Sequence, residues 1–134
     1  MASELKVDKF TGVTTAGSID VVGEGNSTTT NLQQGLAKAW INYDATASSD
    51  YTRDSFNVAS TTDHAVGQHD ITFSNVMANV NHAGVTNGHR DDNEAISIVQ
   101  QGDTDLFRFK LNGHTNTTNT DSNAAYGAIF GELA

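Results

Sequence analysis

The chain is predicted to be all-β: an antiparallel β-sandwich, jelly-roll-like, with an extended N-terminal arm. Three observations carry that expectation. Apolar residues recur at every second position in several short runs, which is the period of a half-buried strand. Thr, Asn, Ser and Gly fill much of the remainder, and they suit strands, turns and a hydroxyl-rich surface better than helices. Proline is absent, so tight turns fall to Gly, Asn and Asp. At 134 residues the length fits one domain, with 1–35 as a docking arm and 36–134 as the sandwich body.

Along the arm, "ELKVDKF" (4–10) alternates, with Leu5 and Val7 on one side and Lys6 and Asp8 on the other. Gly12 and Gly17 bracket a short piece, and "SIDVVG" (18–23) reads as a strand. The polar connector 24–35 spaces Leu32 and Leu36 four apart, but Gly35 between them argues against a stable helix. In "LAKAWINY" (36–43), Ala37, Ala39, Ile41 and Tyr43 share one face, and Leu36, Lys38, Trp40 and Asn42 the other. Both faces carry large groups, so one is expected to meet the core and the other a neighbour.

Residues 44–54 read as a loop, and "SFNVAS" (55–60) offers Phe56 and Val58 as inward residues. A turn over 61–68 leads to "HDITFSNVM" (69–77), which presents Ile71 and Phe73. Residues 78–86 and 95–101 continue the pattern, with Ile96 and Ile98 together. The clearest strand is "DLFRFKLN" (105–112), where Phe107, Phe109 and Leu111 alternate with Arg108 and Lys110. A polar loop (113–123) precedes "AAYGAIFGELA", in which Tyr126, Ala128 and Phe130 alternate. The residues expected to pack or assemble are Leu5, Val7, Trp40, Tyr43, Phe107, Phe109 and Leu111.

Charge and composition narrow the function classes. Acidic residues outnumber basic ones 16 to 7, a formal charge of −9, which repels phosphate backbones and argues against nucleic acid. The lack of cysteine excludes disulfides, thiolate nucleophiles and Cys-type zinc sites. No apolar run approaches a membrane span, so no membrane insertion is expected, and the opening "MASELKVDKFTG" has no apolar stretch of a secretory signal. The triplets "NST" (26–28) and "NTT" (116–118) are read as chance in an Asn/Thr-rich chain.

Few groups in the chain suit reactive chemistry. His64, His69, His82, His89 and His114 sit in turns or at strand edges. The five-residue gap between His64 and His69 fits neither a helical nor a strand pair of ligands. They read as exposed loop groups, with a metal or pH-sensing cluster as the alternative. Asp91, Asp92 and Glu94 are oxygen donors suited to a hard cation, and "GDTD" (102–105) offers another pair, but neither follows the spacing of a calcium loop. No serine lies in G-x-S-x-G or S-x-x-K. Carboxylate pairs suffice for glycosidic chemistry in principle, yet a small domain with 7% aromatics is a poor host for a deep sugar cleft. No enzyme and no cofactor are expected. Trp40 with Tyr43 and Tyr51 would make a sugar-stacking platform, with core and interface packing as the preferred reading. Tyr51, Arg53, His64, His69, His89, Asp91 and Asp92 are the candidate contacts on exposed loops at 44–54, 61–70, 86–94 and 113–123.

Two segments resemble small structural proteins of tailed bacteriophages, particularly marine ones. The opening "MASELKVDKFTG" resembles the start of tail-fibre and appendage proteins, which commonly begin with an "LKVD"-type strand and Gly/Thr-rich turns. The block from 35 to 85 resembles a β module of such proteins, A-K-A-W-V-N-F-N, then R-x-S-x-N-V-S-S, a glycine turn, a T-V-N-F-type strand and an A-N-Y-type ending. The matching residues are Ala37, Lys38, Ala39, Trp40, Asn42, Arg53, Ser55, Asn57, Val58, Gly67, Phe73, Ala78 and Asn79. His69 and Asp70 stand where the family more often has D-Y, and His82 stands where an aromatic is common. The resemblance implies a virion protein without enzymatic activity: a tail fibre or appendage subunit that docks by its arm, associates with itself, by analogy as a homotrimer, and meets other virion proteins and a host-surface glycan. Capsid decoration on the phage head and a carbohydrate-binding module are the alternatives.

Overall fold

The computed structural model describes residues 4–13, 19–23, 28–47, 51–90, 93–100, 103–113 and 119–134. The chain divides into two compact units, Met1–Leu36 and Ala37–Ala134.

In the first unit, strands β1 (Asp20–Val22) and β2 (Thr29–Asn31) pair antiparallel, Val21 opposite Thr30. One helical turn, α1 (Leu32–Gly35), follows. The Asn31 side chain accepts a hydrogen bond from the Gln34 amide at 3.0 Å. That cap supports a turn where Gly35 alone argues against a helix. Residues 4–13 form no strand and are exposed throughout, so the alternation of Leu5 and Val7 has no partner strand among the described residues. None of the described residues of this unit is buried.

Among the described residues, the second unit has eight antiparallel strands: β3 (Ala39–Tyr43), β4 (Thr52–Phe56), β5 (Val58–Ala65), β6 (Gln68–Phe73), β7 (Ala83–Arg90), β8 (Asn93–Gln100), β9 (Leu106–Gly113) and β10 (Ala124–Phe130). Their hydrogen-bonded order is β4-β3-β10-β7-β8-β9-β6-β5. The order folds into two layers because, among the described residues, β7 and β8 pair only at their adjoining ends, from Gly88 opposite Ala95 to Arg90 opposite Asn93. Below that point β7 follows β10, Ala83 opposite Phe130, while β8 follows β9. The layers β4-β3-β10-β7 and β8-β9-β6-β5 therefore face one another, as in a β-sandwich.

At the opposite margin Asn57 alone links β4 to β5 and carries the chain from one layer to the other. Its φ of 57° is left-handed, which Asn tolerates better than most residues. Its side chain holds the corner by donating to the carbonyls of Lys38 (2.9 Å) and Asn75 (3.0 Å) and accepting from the Asn75 amide (2.7 Å). Because the left-handed Asn57 resets the alternation, Phe56 points out to solvent and not inward as the alternation of 55–60 suggests, while Val58 packs against the core.

Between the layers lie Ala39, Ile41 and Tyr43 of β3, Ile71 and Phe73 of β6, Phe107, Phe109 and Leu111 of β9, and Ala125 and Ile129 of β10. Phe109 stacks on Tyr43 (centroids 5.4 Å apart) and meets Phe107 edge-on at 4.7 Å. Gly127 makes this possible, since a Cβ there would lie 2.1 Å from Phe109 Cζ. The β5–β6 turn needs Gly67 for two reasons: its φ is +67°, and a Cβ would sit 2.5 Å from the Leu111 carbonyl oxygen.

Candidate binding surface

Strand parity gives the β4-β3-β10-β7 layer an outer face of residues in register. Phe56 pairs with Trp40, Trp40 with Ala128, and Ala128 with Val85, forming an apolar row across four strands. The next row runs Asp54, Asn42, Tyr126, Asn87. Trp40 and Tyr126 are thus diagonal neighbours on adjacent strands, close enough for one ligand to span both rings. Trp40 is 37% exposed and Tyr126 43%. They flank a depression of about 500 Å³ lined also by Ile41, Asn42, Val85, Asn87 and Ala128. The buried Asn42 Oδ1 finds no hydrogen-bond partner among the described residues.

The platform of Trp40, Tyr43 and Tyr51 does not form. Tyr43 differs in parity from Trp40 and is wholly buried in the core. It packs within its own chain. Tyr51 is half-buried beside His69, with ring centroids 5.9 Å apart. Tyr126 is the aromatic residue that neighbours Trp40 on the outer face. Its partnership with Trp40 depends on β10 pairing with β3, more than eighty residues apart in the chain, and no local pattern announces it.

The other expected contacts scatter. His69 is 1% exposed, not a loop residue; it is on the inner face with Ile71 and Phe73. The alternation of 69–73 already contains that signal. His69 Nε2 lies 3.4 Å from Asp121 Oδ1, and its ring meets Tyr43 at 5.4 Å. Burial, then the Asp121 and Asp63 carboxylates, pushes the Tyr43 hydroxyl far above its ordinary pKa, so it stays protonated. Arg53 donates to Asp44 Oδ2 (2.8 Å) and to the Asn123 carbonyl (2.6 Å). Burial raises the Asp44 carboxyl, but the Thr46 hydroxyl and amide and the Arg53 guanidinium outweigh it and hold the pKa below its usual value. His64 is exposed on β5 with Nδ1 3.9 Å from Asp70 Oδ2. Leu5 and Val7 are exposed, Leu5 at 73%. Phe107, Phe109 and Leu111 are core.

Asp91 and Asp92 lie outside the described residues, as do the side chains of His89, Glu94, Ile96 and Ile98. Residues 61–65 and 68–70, expected as loop, are strands of the β5–β6 hairpin, and 86–90 belong to β7. Among the described residues no three His, Asp or Glu side chains converge as metal ligands, and no helix is long and apolar enough to cross a membrane. No family model, no curated protein and no solved structure matches the chain.

Proposed function

We propose that the chain is a non-enzymatic structural subunit of a tailed-phage virion, in which the N-terminal arm docks the protein onto the particle and the sandwich body presents binding surfaces. Tail fibre or appendage is the favoured place, and homotrimeric association is the arrangement expected by analogy. One observation carries the reading: Leu5, Val7, Phe10 and Val13 are all exposed in a unit without a buried described residue. Side chains of that kind lose their contact with water only by packing on another surface. The body, taken by itself, has a well-filled core that can support exposed faces.

Quantitative mass spectrometry of purified particles tests this. The chain is expected at a fixed copy number, a handful to a few dozen for a tail position; hundreds would assign it to the head lattice instead. Leu5→Asp combined with Val7→Asp is expected to reduce incorporation severely while leaving the body's thermal transition in place. Absence of the chain from particles, or undiminished incorporation of that variant, overturns arm docking.

A further inference from the structure

The outer face of the β4-β3-β10-β7 layer sets exposed apolar groups beside polar ones. Its apolar row, Phe56, Trp40, Ala128 and Val85, lies directly beside a row of Asp54, Asn42, Tyr126 and Asn87. We propose that this face binds a neutral saccharide, with the sugar ring stacked on Trp40 and Tyr126 and its hydroxyls held by Asn42, Asn87 and Asp54. The inference is independent of where the protein resides.

A pyranose ring has two unlike surfaces. Its axial C–H groups make an apolar face, and its equatorial hydroxyls project from the edge as paired donors and acceptors. Aromatic rings receive the first at little conformational cost, since Trp and Tyr have only two rotatable side-chain bonds. Planar amides and carboxylates receive the second, because each offers two polar atoms side by side. The two rows present these groups in that juxtaposition. Ala128 is the small residue between the rings, and the resulting depression of about 500 Å³ is in the range of small-ligand sites. Asn42 Oδ1 is a buried acceptor without a partner among the described residues, and turning the amide outward on binding would let it accept from a hydroxyl.

Charge selects among ligands. With a formal −9 on the chain and Asp54 on the face, anionic saccharides and phosphates are repelled, which leaves neutral sugars. A second copy of the chain is the other occupant to weigh. Packing on it would bury Asp54, Asn42 and Asn87 against a surface that must satisfy each of them, and an unpaired buried carboxylate is costly. Hydroxyls of a neutral sugar satisfy all three without a countercharge.

Trp40 is the sole tryptophan, so its emission reports this face directly. The full chain is titrated with cello-, malto-, xylo-, manno-, laminari- and chito-hexaose, and with polygalacturonate as the anionic counterpart. A saturable change in emission is expected with at least one neutral hexaose and none with polygalacturonate. By calorimetry, Trp40→Ala, Tyr126→Ala and the double change Asn42→Ala/Asn87→Ala should each weaken that binding about tenfold or more, whereas Tyr126→Phe keeps it. Circular dichroism verifies that each variant is folded. No saturable change with any neutral hexaose up to about 10 mM, where even weak binding registers, overturns the proposal. So does an emission shift that tracks protein concentration and a doubled mass without sugar, which would give the face to a second copy. Unchanged affinity in all the face variants would place the sugar elsewhere and equally overturn it.

Discussion

Two outer strips of the sandwich, on β6–β9 and on β3–β10, are built from the same kind of antiparallel strand and differ in chemistry. On the β6–β9 side the outward residues are Gln68, Asp70 and Thr72 opposite Lys110, Arg108 and Leu106. Arg108 grips Asp70 with two hydrogen bonds, at 2.5 and 2.7 Å. That strip pairs Asp70 with Arg108 internally, as a water-facing sheet does. On the β3–β10 side the outward residues are Trp40, Tyr126, Phe56 and Val85 among amides, with large apolar groups exposed. A common core supports both. The difference teaches that fold and contact are separable here: one core supports a β6–β9 strip with a built-in ion pair and a β3–β10 strip that leaves large apolar groups exposed.

The core sets the scale against which either face is measured. Phe109→Ala removes the ring that Tyr43 and Phe107 pack on, and is expected to cost about 3–5 kcal/mol in chemical denaturation. From the opposite side, Gly127→Ala drives a methyl into that ring and should cost about 1–3 kcal/mol. Because both changes act on one space, combining Gly127→Ala with Phe109→Leu should cost less than the sum of the two, as neighbours in contact do. Strict additivity would mean that the layers do not meet at this point.

The paired face should show its pairing in a pH series. Hydrogen bonds from Arg108 foremost hold the Asp70 carboxyl below its usual value, against the opposing effect of burial. A depressed carboxyl contributes stability in full above the unfolded aspartate value of about 3.9, and loses it as pH falls through the folded value. Asp70→Asn is therefore expected to melt below the parent chain at neutral pH, with the gap closing at pH values below about 4. A gap independent of pH would show that the ion pair contributes nothing to that face.

The smallest effect belongs to the aromatic face. Trp40→Ala, despite removing the largest side chain in the protein, should change unfolding free energy by less than about 1 kcal/mol, because the ring is exposed and outside the core. A loss comparable to that of Phe109→Ala would make Trp40 a structural residue and erase the contrast between the faces.

Much of this was legible in the residues. Alternation alone puts Phe107, Phe109 and Leu111 together, and Ala39, Ile41 and Tyr43 together, because adjacent side chains of a strand point to opposite faces. The same parity, applied to 69–73, puts His69 inside, and it separates Trp40 from Tyr43. Phe56 misleads because the alternation of 55–60 crosses Asn57, where a left-handed residue resets it.

By itself the sequence determined the strand class, the acidic and cysteine-free chemistry, and which residues share a face within each strand, since all of these depend on residue type and spacing over a few positions. Only the tertiary structure decided which face of β3 is covered, that Tyr126 sits diagonally from Trp40, and that Gly127 yields its space to Phe109. Those facts follow from register between strands far apart in the chain, and register is settled by the packing of the whole core at once.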